Sequence, residues 1–243
     1  MSTLEKSTFT VLGANGFIGQ AVISFMRSIV LHDCSNIAAI TRRPFPEFES
    51  PGSPTPSQNI VSTDIISALP QSTSIIFSTL GLNIAKAGYS NAEQRKVDYD
   101  LTLSLARAAK QKCQNLQIFI VVSSVAAGFS SGEHGRMKAE MERDVTALGF
   151  EQTIILRPGG VLGYRKDTEG RLYERPLQFI LSGLSRMPWI SRAFDYFVVR
   201  DIEMAKATAI LLEKQGKGVK IVSNQVMIEL ARAYDQEHAH TSL

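Results

Sequence analysis

The segment that decides the fold is Phe9-Thr10-Val11-Leu12-Gly13-Ala14-Asn15-Gly16-Phe17-Ile18-Gly19. Its first four residues predict a short buried strand, and three glycines at G-x-x-G-x-x-G spacing predict a tight turn after it. A helix should follow, since an apolar stripe continues through Ile18, Ala21, Val22, Phe25 and Ile29. This order favours dinucleotide binding over a purely structural turn, because the backbone can approach a pyrophosphate closely. We therefore predict cofactor contacts, with phosphates on the helix N-terminal amides, from Gly13, Ala14, Asn15, Gly16, Phe17, Ile18 and Gly19.

The composition predicts a single globular domain over residues 1–243. With 44% hydrophobic and 20% charged residues, a chain of this length can bury one large core. The net charge of +3 comes from 26 basic and 23 acidic side chains, without a basic block. This balance suits an anionic cofactor and argues against nucleic acid as a partner.

Cysteine usage and hydropathy indicate the redox compartment of the protein and its relation to membranes. Cys34 and Cys113 are far apart and lack partners at metal-ligand spacing, so we predict buried thiols in a reducing compartment and no metal site. The longest apolar stretch, residues 116–129, is interrupted by polar residues, so no membrane-spanning segment is expected. A first strand beginning at about Phe9 leaves no room for a presequence. The expectation is a soluble chain, or one on a membrane surface.

The end of the second predicted strand, residues 36–41, indicates which dinucleotide is bound. An acidic residue at this place would bind the ribose 2′-hydroxyl of NAD(H). The chain instead has Thr41, Arg42 and Arg43, and two guanidiniums can pair with a 2′-phosphate. We therefore predict NADP(H), although solvated loop arginines are the simpler alternative.

Two further strands should bring residues to the cofactor. A proline-rich loop over residues 44–59 precedes a short third strand at 59–61, which ends near Asp64. Asp64 either accepts a hydrogen bond from the adenine amino group or caps the turn at Ile65 and Ile66. A fourth strand at 74–78 leads to Leu80 and Gly81, which we expect to lie against the cofactor.

A crossover helix and a central strand are predicted next. The helix begins at Asn91, with Asn91 and Gln94 spaced as a capping box. Its expected apolar face is Val97, Leu101, Leu105 and Ala108. The continuous apolar run 116–122 predicts a parallel strand that is covered on both faces and delivers Ser123 and Ser124 to the active edge.

The helix around residues 134–148 carries the candidate proton-transfer groups. His134 and Lys138 are four residues apart and therefore share a face, which continues through Met141, Val145 and Leu148. A polar pair on an inward face, with Ser123 and Ser124 nearby, suits proton transfer beside a nicotinamide. The alternative is a histidine that merely caps the helix or faces water.

The last part of the chain departs from regular alternation. A sixth strand at 153–156 ends in Arg157, Pro158 and Gly159, and we predict that Pro158 and Gly159 hold the nicotinamide amide. Residues 161–234 are expected to cover a substrate cleft, with aromatic side chains that are core or, alternatively, a patch for a membrane or partner. Elements expected here are a helix at 201–214, an edge strand at 221–223, a helix at 225–234, and a frayed tail from Asp235.

Together these patterns predict an α/β fold: a Rossmann-type doubly wound parallel sheet with helices on both faces. The core should span about residues 8–160, and a small C-terminal region at 161–234 should form the substrate cleft.

The assembled motifs resemble those of atypical short-chain dehydrogenase/reductases. Within them, the resemblance is to a fungal group of mitochondrial outer-membrane proteins related to the human thirty-kilodalton Tat-interacting protein. It covers the chain to about residue 215 and rests on residues 13–16, 41–43, 78–81, 86–88, 122–124, 136–140, 148–151 and 156–159. The resemblance implies a Rossmann fold, NADP(H), and a peripheral place on the cytosolic face of the mitochondrial outer membrane, with the cytoplasm as the alternative.

The catalytic signature of that family is Tyr-x-x-x-Lys with an upstream serine. Lys138 matches the lysine and Ser124 or Ser123 the serine, whereas His134 stands at the tyrosine position. By this resemblance Lys138 also contacts the cofactor. Two functions follow. The first is an oxidoreductase acting on an unidentified small carbonyl or alcohol, with His134 or a water in place of the tyrosine. The second is an NADPH-binding protein without turnover that binds another protein or a membrane.

Overall fold

The computed structural model describes residues 8–30, 36–42, 58–82, 90–130, 132–163, 197–214 and 216–239. The strands within these ranges are β1 (Thr8–Leu12), β2 (Asn36–Thr41), β3 (Gln58–Val61), β4 (Thr73–Ser78), β5 (Ile118–Val122), β6 (Gln152–Arg157), β7 (Gly160–Leu162), β8 (Val198–Arg200) and β9 (Gly218–Ser223). The helices are α1 (Phe17–Val30), α2 (Asn91–Arg95), α3 (Thr102–Lys112), α4 (Val125–Phe129), α5 (Gly132–Thr146), α6 (Asp201–Glu213) and α7 (Asn224–His238). A π-helical turn, Lys96–Leu101, joins α2 to α3.

Seven parallel strands form the central sheet in the order β3-β2-β1-β4-β5-β6-β9. The chain runs outward from β1 to β3 and then returns to the other side of β1 with β4. The topological switch point, where ligands bind in sheets of this kind, therefore lies between the carboxyl ends of β1 and β4. The predicted doubly wound parallel sheet is confirmed.

The two faces of the sheet bury separate apolar clusters, since successive strand residues point to opposite sides. On one face Phe9 and Val11 pack with residues of α1, α6 and α7. On the other face Leu12 packs with residues of α3 and α5, including Leu105 and Met141. Helices on both faces explain why β1, β4 and β5 are continuously buried rather than alternating.

The crossover helix corrects two predictions. Its N-cap is Ser90, which forms a capping box with Glu93, so the box predicted at Asn91 and Gln94 is one residue out of place. The π-helical turn also inserts extra residues per turn and rotates the following face. Of the predicted face, Leu105 is buried and Leu101 packs on the same cluster, whereas Val97 and Ala108 are only partly buried. The fully buried residues are Gln94, Asp98, Thr102, Leu103, Leu105, Ala106 and Ala109.

Two predicted elements of the C-terminal region are confirmed, whereas the predicted start of a frayed tail is not. The helix α6 and the edge strand β9 lie where they are predicted, and β9 pairs with β6. The tail expected to fray from Asp235 is wrong, because α7 continues to His238. A two-stranded sheet of β7 and β8 is an element that the sequence analysis did not predict. The proline-rich loop predicted over residues 44–59 ends earlier, because β3 begins at Gln58. Its residues 44–57, Cys34, and the aromatic residues Trp189, Phe194 and Tyr196 lie outside the described residues.

Candidate functional site

The glycine turn has a geometry that only glycines fit. Gly13 has a φ of 77°, in the left-handed region, and a Cβ there would lie 2.7 Å from Thr79 Oγ1. A Cβ on Gly16 would lie 3.0 Å from the Gly13 carbonyl oxygen. A Cβ on Gly19 would lie 2.7 Å from the same oxygen and 2.8 Å from Ala14 Cα, both backbone atoms. The three glycines thus bring the start of α1 directly against the end of β1.

The N-terminus of α1 opens toward this edge of the sheet. The Gly16 amide donates to the Gly13 carbonyl at 2.8 Å, and the first bond of the helix runs from the Gln20 amide to the Gly16 carbonyl at 2.9 Å. The amides of Phe17, Ile18 and Gly19 therefore precede the first helical bond. Such amides, together with the helix dipole, attract phosphate groups. The predicted cofactor residues Ala14 and Asn15 lie in the same turn, and the Asn15 carbonyl accepts from the Gln20 side chain at 3.0 Å.

The segment after β4 is tied to the glycine turn. The Thr79 amide donates to the Leu12 carbonyl, and Thr79 Oγ1 lies 3.0 Å from the carbonyl oxygens of both Leu12 and Gly13. Leu80 packs on the apolar cluster below, and Gly81 is exposed. Both predicted cofactor residues of this segment therefore lie next to the turn, across the switch point. Ser78 Oγ, at the end of β4, is buried and has no hydrogen-bond partner in the described part of the chain.

The residues predicted to choose between dinucleotides lie at the ends of β2 and β3. Thr41 is buried at the end of β2, Arg42 follows it and is exposed, and Arg43 lies outside the described residues. Asp64 caps its own turn, because its Oδ1 accepts from the Ser67 amide at 3.1 Å. Hydrogen bonds from the Ser67 side chain and from the Ser67 amide lower the pKa of Asp64. The capping alternative for Asp64 is therefore present, and its contact with adenine stays a prediction.

His134 is half-buried on α5 and is held by α2. Gln94 Nε2 lies 3.0 Å from His134 Nδ1. An amide nitrogen can only donate, so Nδ1 accepts and the proton of the neutral ring is on Nε2. Burial lowers the pKa of His134, the Lys138 ammonium lowers it further, and the Asp98 carboxylate opposes both. The ring is consequently neutral near pH 7.

Lys138 lies one turn further along the same face, as predicted, but its ammonium is already paired. Its Nζ lies 3.0 Å from Asp98 Oδ2, and both side chains are almost fully buried, at 6% and 3% exposure. The other oxygen, Asp98 Oδ1, accepts from the Leu82 amide at 2.7 Å. Asp98 thus connects the helix that carries Lys138 to the segment after β4.

The two candidate serines have different partners. Ser124 is the N-cap of α4, where its Oγ accepts from the Ala126 amide at 3.2 Å. Ser123 is buried and donates to Glu142 Oε1 on α5 at 2.5 Å. Helix α4 lies against the start of α5, because a Cβ on Gly135 would be 2.7 Å from the Ala126 carbonyl oxygen. Of the two serines, Ser124 is the one whose helix contacts the segment next to His134.

Glu142 also joins the strand that carries the predicted nicotinamide contacts. Its two oxygens accept from Arg157 Nε and Nη2, at 3.0 and 2.5 Å. Pro158 and Gly159 follow, and the Gly159 amide donates to Asn224 Oδ1 at 3.0 Å. A Cβ on Gly159 would lie 2.1 Å from the Phe197 carbonyl oxygen, so this glycine is needed for the approach of that backbone. Its contact with a nicotinamide stays a prediction.

Sequence reasoning missed Gln94, Asp98 and Glu142. All three side chains are buried and hold a predicted site residue. The signal available was the four-residue spacing of Gln94 and Asp98, the same as that of His134 and Lys138 on the facing helix. Polar residues at such spacing also fit a solvated helix face, and the apolar face predicted for this helix pointed elsewhere.

Comparison with known proteins identifies the family. A family model described as HIM1 matches residues 50–180, more than half of the chain. The Saccharomyces cerevisiae protein named "Protein FMP52, mitochondrial" is 30% identical over 230 residues, covering 93% of this chain and 97% of that protein. No helix among the described residues is long and apolar enough to span a membrane.

Two solved structures share the fold at low sequence identity. The human epimerase family protein SDR39U1 with NADPH is 16% identical, covers 89% of this chain and 73% of its own, and has a TM-score of 0.61. The Bordetella bronchiseptica enzyme WbmF in complex with NAD+ is 11% identical, covers 100% and 81%, and has a TM-score of 0.59. These two structures, solved with NADPH and with NAD+, therefore share the Rossmann-type fold of this chain. The matched model and the near-full-length relative show that this chain belongs to the FMP52 family.

Proposed function

We propose that this protein binds NADP(H) and acts as a slow oxidoreductase on a small carbonyl or alcohol. The observation that carries the proposal is the glycine turn, where Thr79 leaves no room for a Cβ at Gly13 and the Gly13–Ala14 backbone leaves none at Gly19. Such close backbone approach at a switch point is the feature that a pyrophosphate needs. Two structural neighbours, solved with NADPH and with NAD+, support a nicotinamide cofactor in this fold.

Arg42 and Arg43 favour the phosphorylated dinucleotide. Arg42 is exposed directly after β2, where an acidic residue would bind a free ribose hydroxyl. A guanidinium there offers forked hydrogen bonds to a 2′-phosphate. The residues that would hold the rest of the cofactor are the 13–19 turn, Leu80, Gly81, and the Pro158–Gly159 backbone. When bound, NADP(H) supplies or accepts the hydride, and the protein residues manage the proton.

His134 is the proposed proton carrier, and Gln94 decides which form is stable. The observed contact keeps the ring neutral with its proton on Nε2, because Nδ1 accepts from Gln94. An imidazolium needs an acceptor at Nδ1, so the Gln94 amide must turn its oxygen toward the ring. Together with burial and the Lys138 charge, this requirement makes the acid form scarce at pH 7. Reduction of a carbonyl should therefore be slow, and Ser124 is the neighbouring hydroxyl proposed to orient the substrate oxygen.

A second candidate function is cofactor binding without turnover. It is favoured by the Asp98 contact, which holds the Lys138 ammonium in a buried ion pair. In this case the NADPH-bound surface would bind another protein or a membrane. The matched FMP52 relative is named mitochondrial, and we propose a peripheral place on the mitochondrial outer membrane in either case.

The experiment that separates the two functions is NADPH oxidation across a panel of small carbonyl compounds. We expect slow turnover by the unmodified protein, faster reduction by His134→Tyr, and none by His134→Ala. Glu140→Gln, a change on the exposed side of the same helix, is the matched control and should behave as the unmodified protein. Full activity of His134→Ala would remove His134 from the chemistry, and no turnover even by His134→Tyr would favour the binding function.

A further inference from the structure

Asp98 contacts two segments of the candidate site that are far apart in sequence. Its Oδ2 pairs with Lys138 Nζ on α5, and its Oδ1 accepts from the amide of Leu82, which follows β4. The carboxylate is 3% exposed, so both contacts are made away from water. Neither contact is explained by packing alone, because an apolar side chain would fill this interior without a charge to compensate.

The helix is built so that Asp98 faces inward. Lys96–Leu101 form a π-helical turn, and Gln94, two residues before it, and Asp98, within it, are both buried against α5. Gln94 then meets His134, and Asp98 meets Lys138, one turn apart. Single π turns inside α-helices are frequent at functional sites. The turn therefore carries the Asp98 contact with the candidate site and directly follows the helix that carries the Gln94 contact.

We propose that Asp98 is the positioning residue of this site: it fixes Lys138 against the Gly81–Leu82 backbone and balances the charge that His134 experiences. The proposal rests on the proposed function, because it assigns Asp98 to the same site. Asp98 itself is not expected to touch the substrate. Its effect passes through Lys138 on one side and through the backbone after β4 on the other.

The charged groups around His134 determine in which direction each substitution should shift the His134 pKa. His134 faces Gln94 from α2, Asp98 from the π-helical turn, and Lys138 from its own helix. The nearby carboxylates of α5, Glu133 and Glu140, are bonded to Asn91 and Arg95 on the outer side of the same seam. Lys138 is the stronger of the two charged influences on the His134 pKa, and Asp98 is the weaker one of opposite sign.

The test is the NMR titration of His134 in the cofactor-free protein. The four proteins needed are the unmodified chain, Asp98→Asn, Lys138→Met and the double variant; His134→Ala assigns the signal. The expected order of the His134 pKa, from lowest to highest, is Asp98→Asn, unmodified, double variant, Lys138→Met. Glu140→Gln is the matched control and should leave the titration unchanged. A His134 pKa in Asp98→Asn that equals or exceeds the unmodified value would overturn the proposal. If that variant does not fold, a His134 pKa in the double variant that equals or exceeds the value in Lys138→Met would do so.

A second measurement tests the backbone contact separately. Hydrogen exchange of the Leu82 amide should be at least about tenfold faster in Asp98→Ala, which removes the acceptor, than in Asp98→Asn, which keeps an acceptor oxygen. Equal exchange in the two variants would overturn the contact with the loop. Neither readout uses cofactor, so an absence of NADPH binding in the unmodified protein would refute the proposed function while the titration order still decides the role of Asp98.

Discussion

Replacing Glu142 with glutamine removes one charge from a buried network and keeps the shape of the side chain. Glu142 is 5% exposed and accepts hydrogen bonds from Ser123 and from two nitrogens of Arg157. The variant leaves the Arg157 guanidinium without its counter-charge and places an amide N–H2 near two donors. Because the network joins α5 to the ends of β5 and β6, its loss should loosen the edge of the sheet that carries Ser123 and Pro158.

The expected loss of stability follows from how deeply Glu142 and Arg157 are buried. Breaking a buried ion pair by removing one partner costs about 3–5 kcal/mol. The Arg157 side chain is 24% exposed, so water recovers part of that cost. We expect the free energy of unfolding of Glu142→Gln to fall by about 2–3 kcal/mol, below the fully buried case. For a chain of this size the midpoint of thermal unfolding should fall by roughly 4–12 °C.

Urea unfolding at pH 7, followed by circular dichroism, measures the change. The matched control is Glu140→Gln on the same helix, whose partner Arg95 is 42% exposed; the loss there should stay below about 1 kcal/mol. The slope of the transition should be the same in all three proteins, so that the midpoints report stability. A loss for Glu142→Gln that is no larger than that of the control would refute the reasoning from burial.

Three further predictions follow from the described contacts. Reductive turnover should rise as pH falls through the His134 pKa, because the fraction of imidazolium increases; burial and Lys138 lower this pKa. Gln94→Glu should extend turnover to higher pH, because its carboxylate offers Nδ1–H an acceptor. A pH profile identical to that of the unmodified protein would count against the Gln94 contact. Gly19→Ala should destabilise the fold by about 1–3 kcal/mol in urea unfolding, since its Cβ meets backbone atoms at 2.7 and 2.8 Å, whereas a helix-propensity effect alone would stabilise it. A protein held peripherally on mitochondria should be released by alkaline carbonate, and retention in the carbonate pellet would contradict the peripheral placement.

The fold could be predicted from the sequence because the central strands β1, β4, β5 and β6 are short, largely apolar runs with clear ends. The strand β2 and the starts of α1, α2 and α6 lie where the patterns place them. The glycine spacing fixed the order of strand, turn and helix, and the geometry of Gly13 and Gly19 gives the physical reason. The sheet β7–β8 could not be predicted, since three-residue strands carry too little periodicity.

The candidate site was predicted in part. The shared face of His134 and Lys138 follows from helical spacing, and both lie on the inward side of α5. Their partners Gln94 and Asp98 were missed although they are also four residues apart, because polar residues at that spacing equally fit a solvated helix face. The network of Ser123, Glu142 and Arg157 was missed for a different reason: pairing across strands and helices far apart in sequence leaves no local pattern.

The central claim is that the glycine turn and Arg42–Arg43 bind NADP(H), and equilibrium titration with NADPH and NADH tests it most directly. We expect the unmodified protein to bind NADPH at least about tenfold more tightly than NADH, the equivalent of one charge-assisted hydrogen bond of ~1.5 kcal/mol. The double variant Arg42→Ala/Arg43→Ala should lose this preference through weaker NADPH binding alone. Lys217→Ala removes an exposed charge before β9, at the opposite edge of the sheet, and should keep the preference. Equal dissociation constants for NADPH and NADH in the unmodified protein, or no binding of either, would contradict the account.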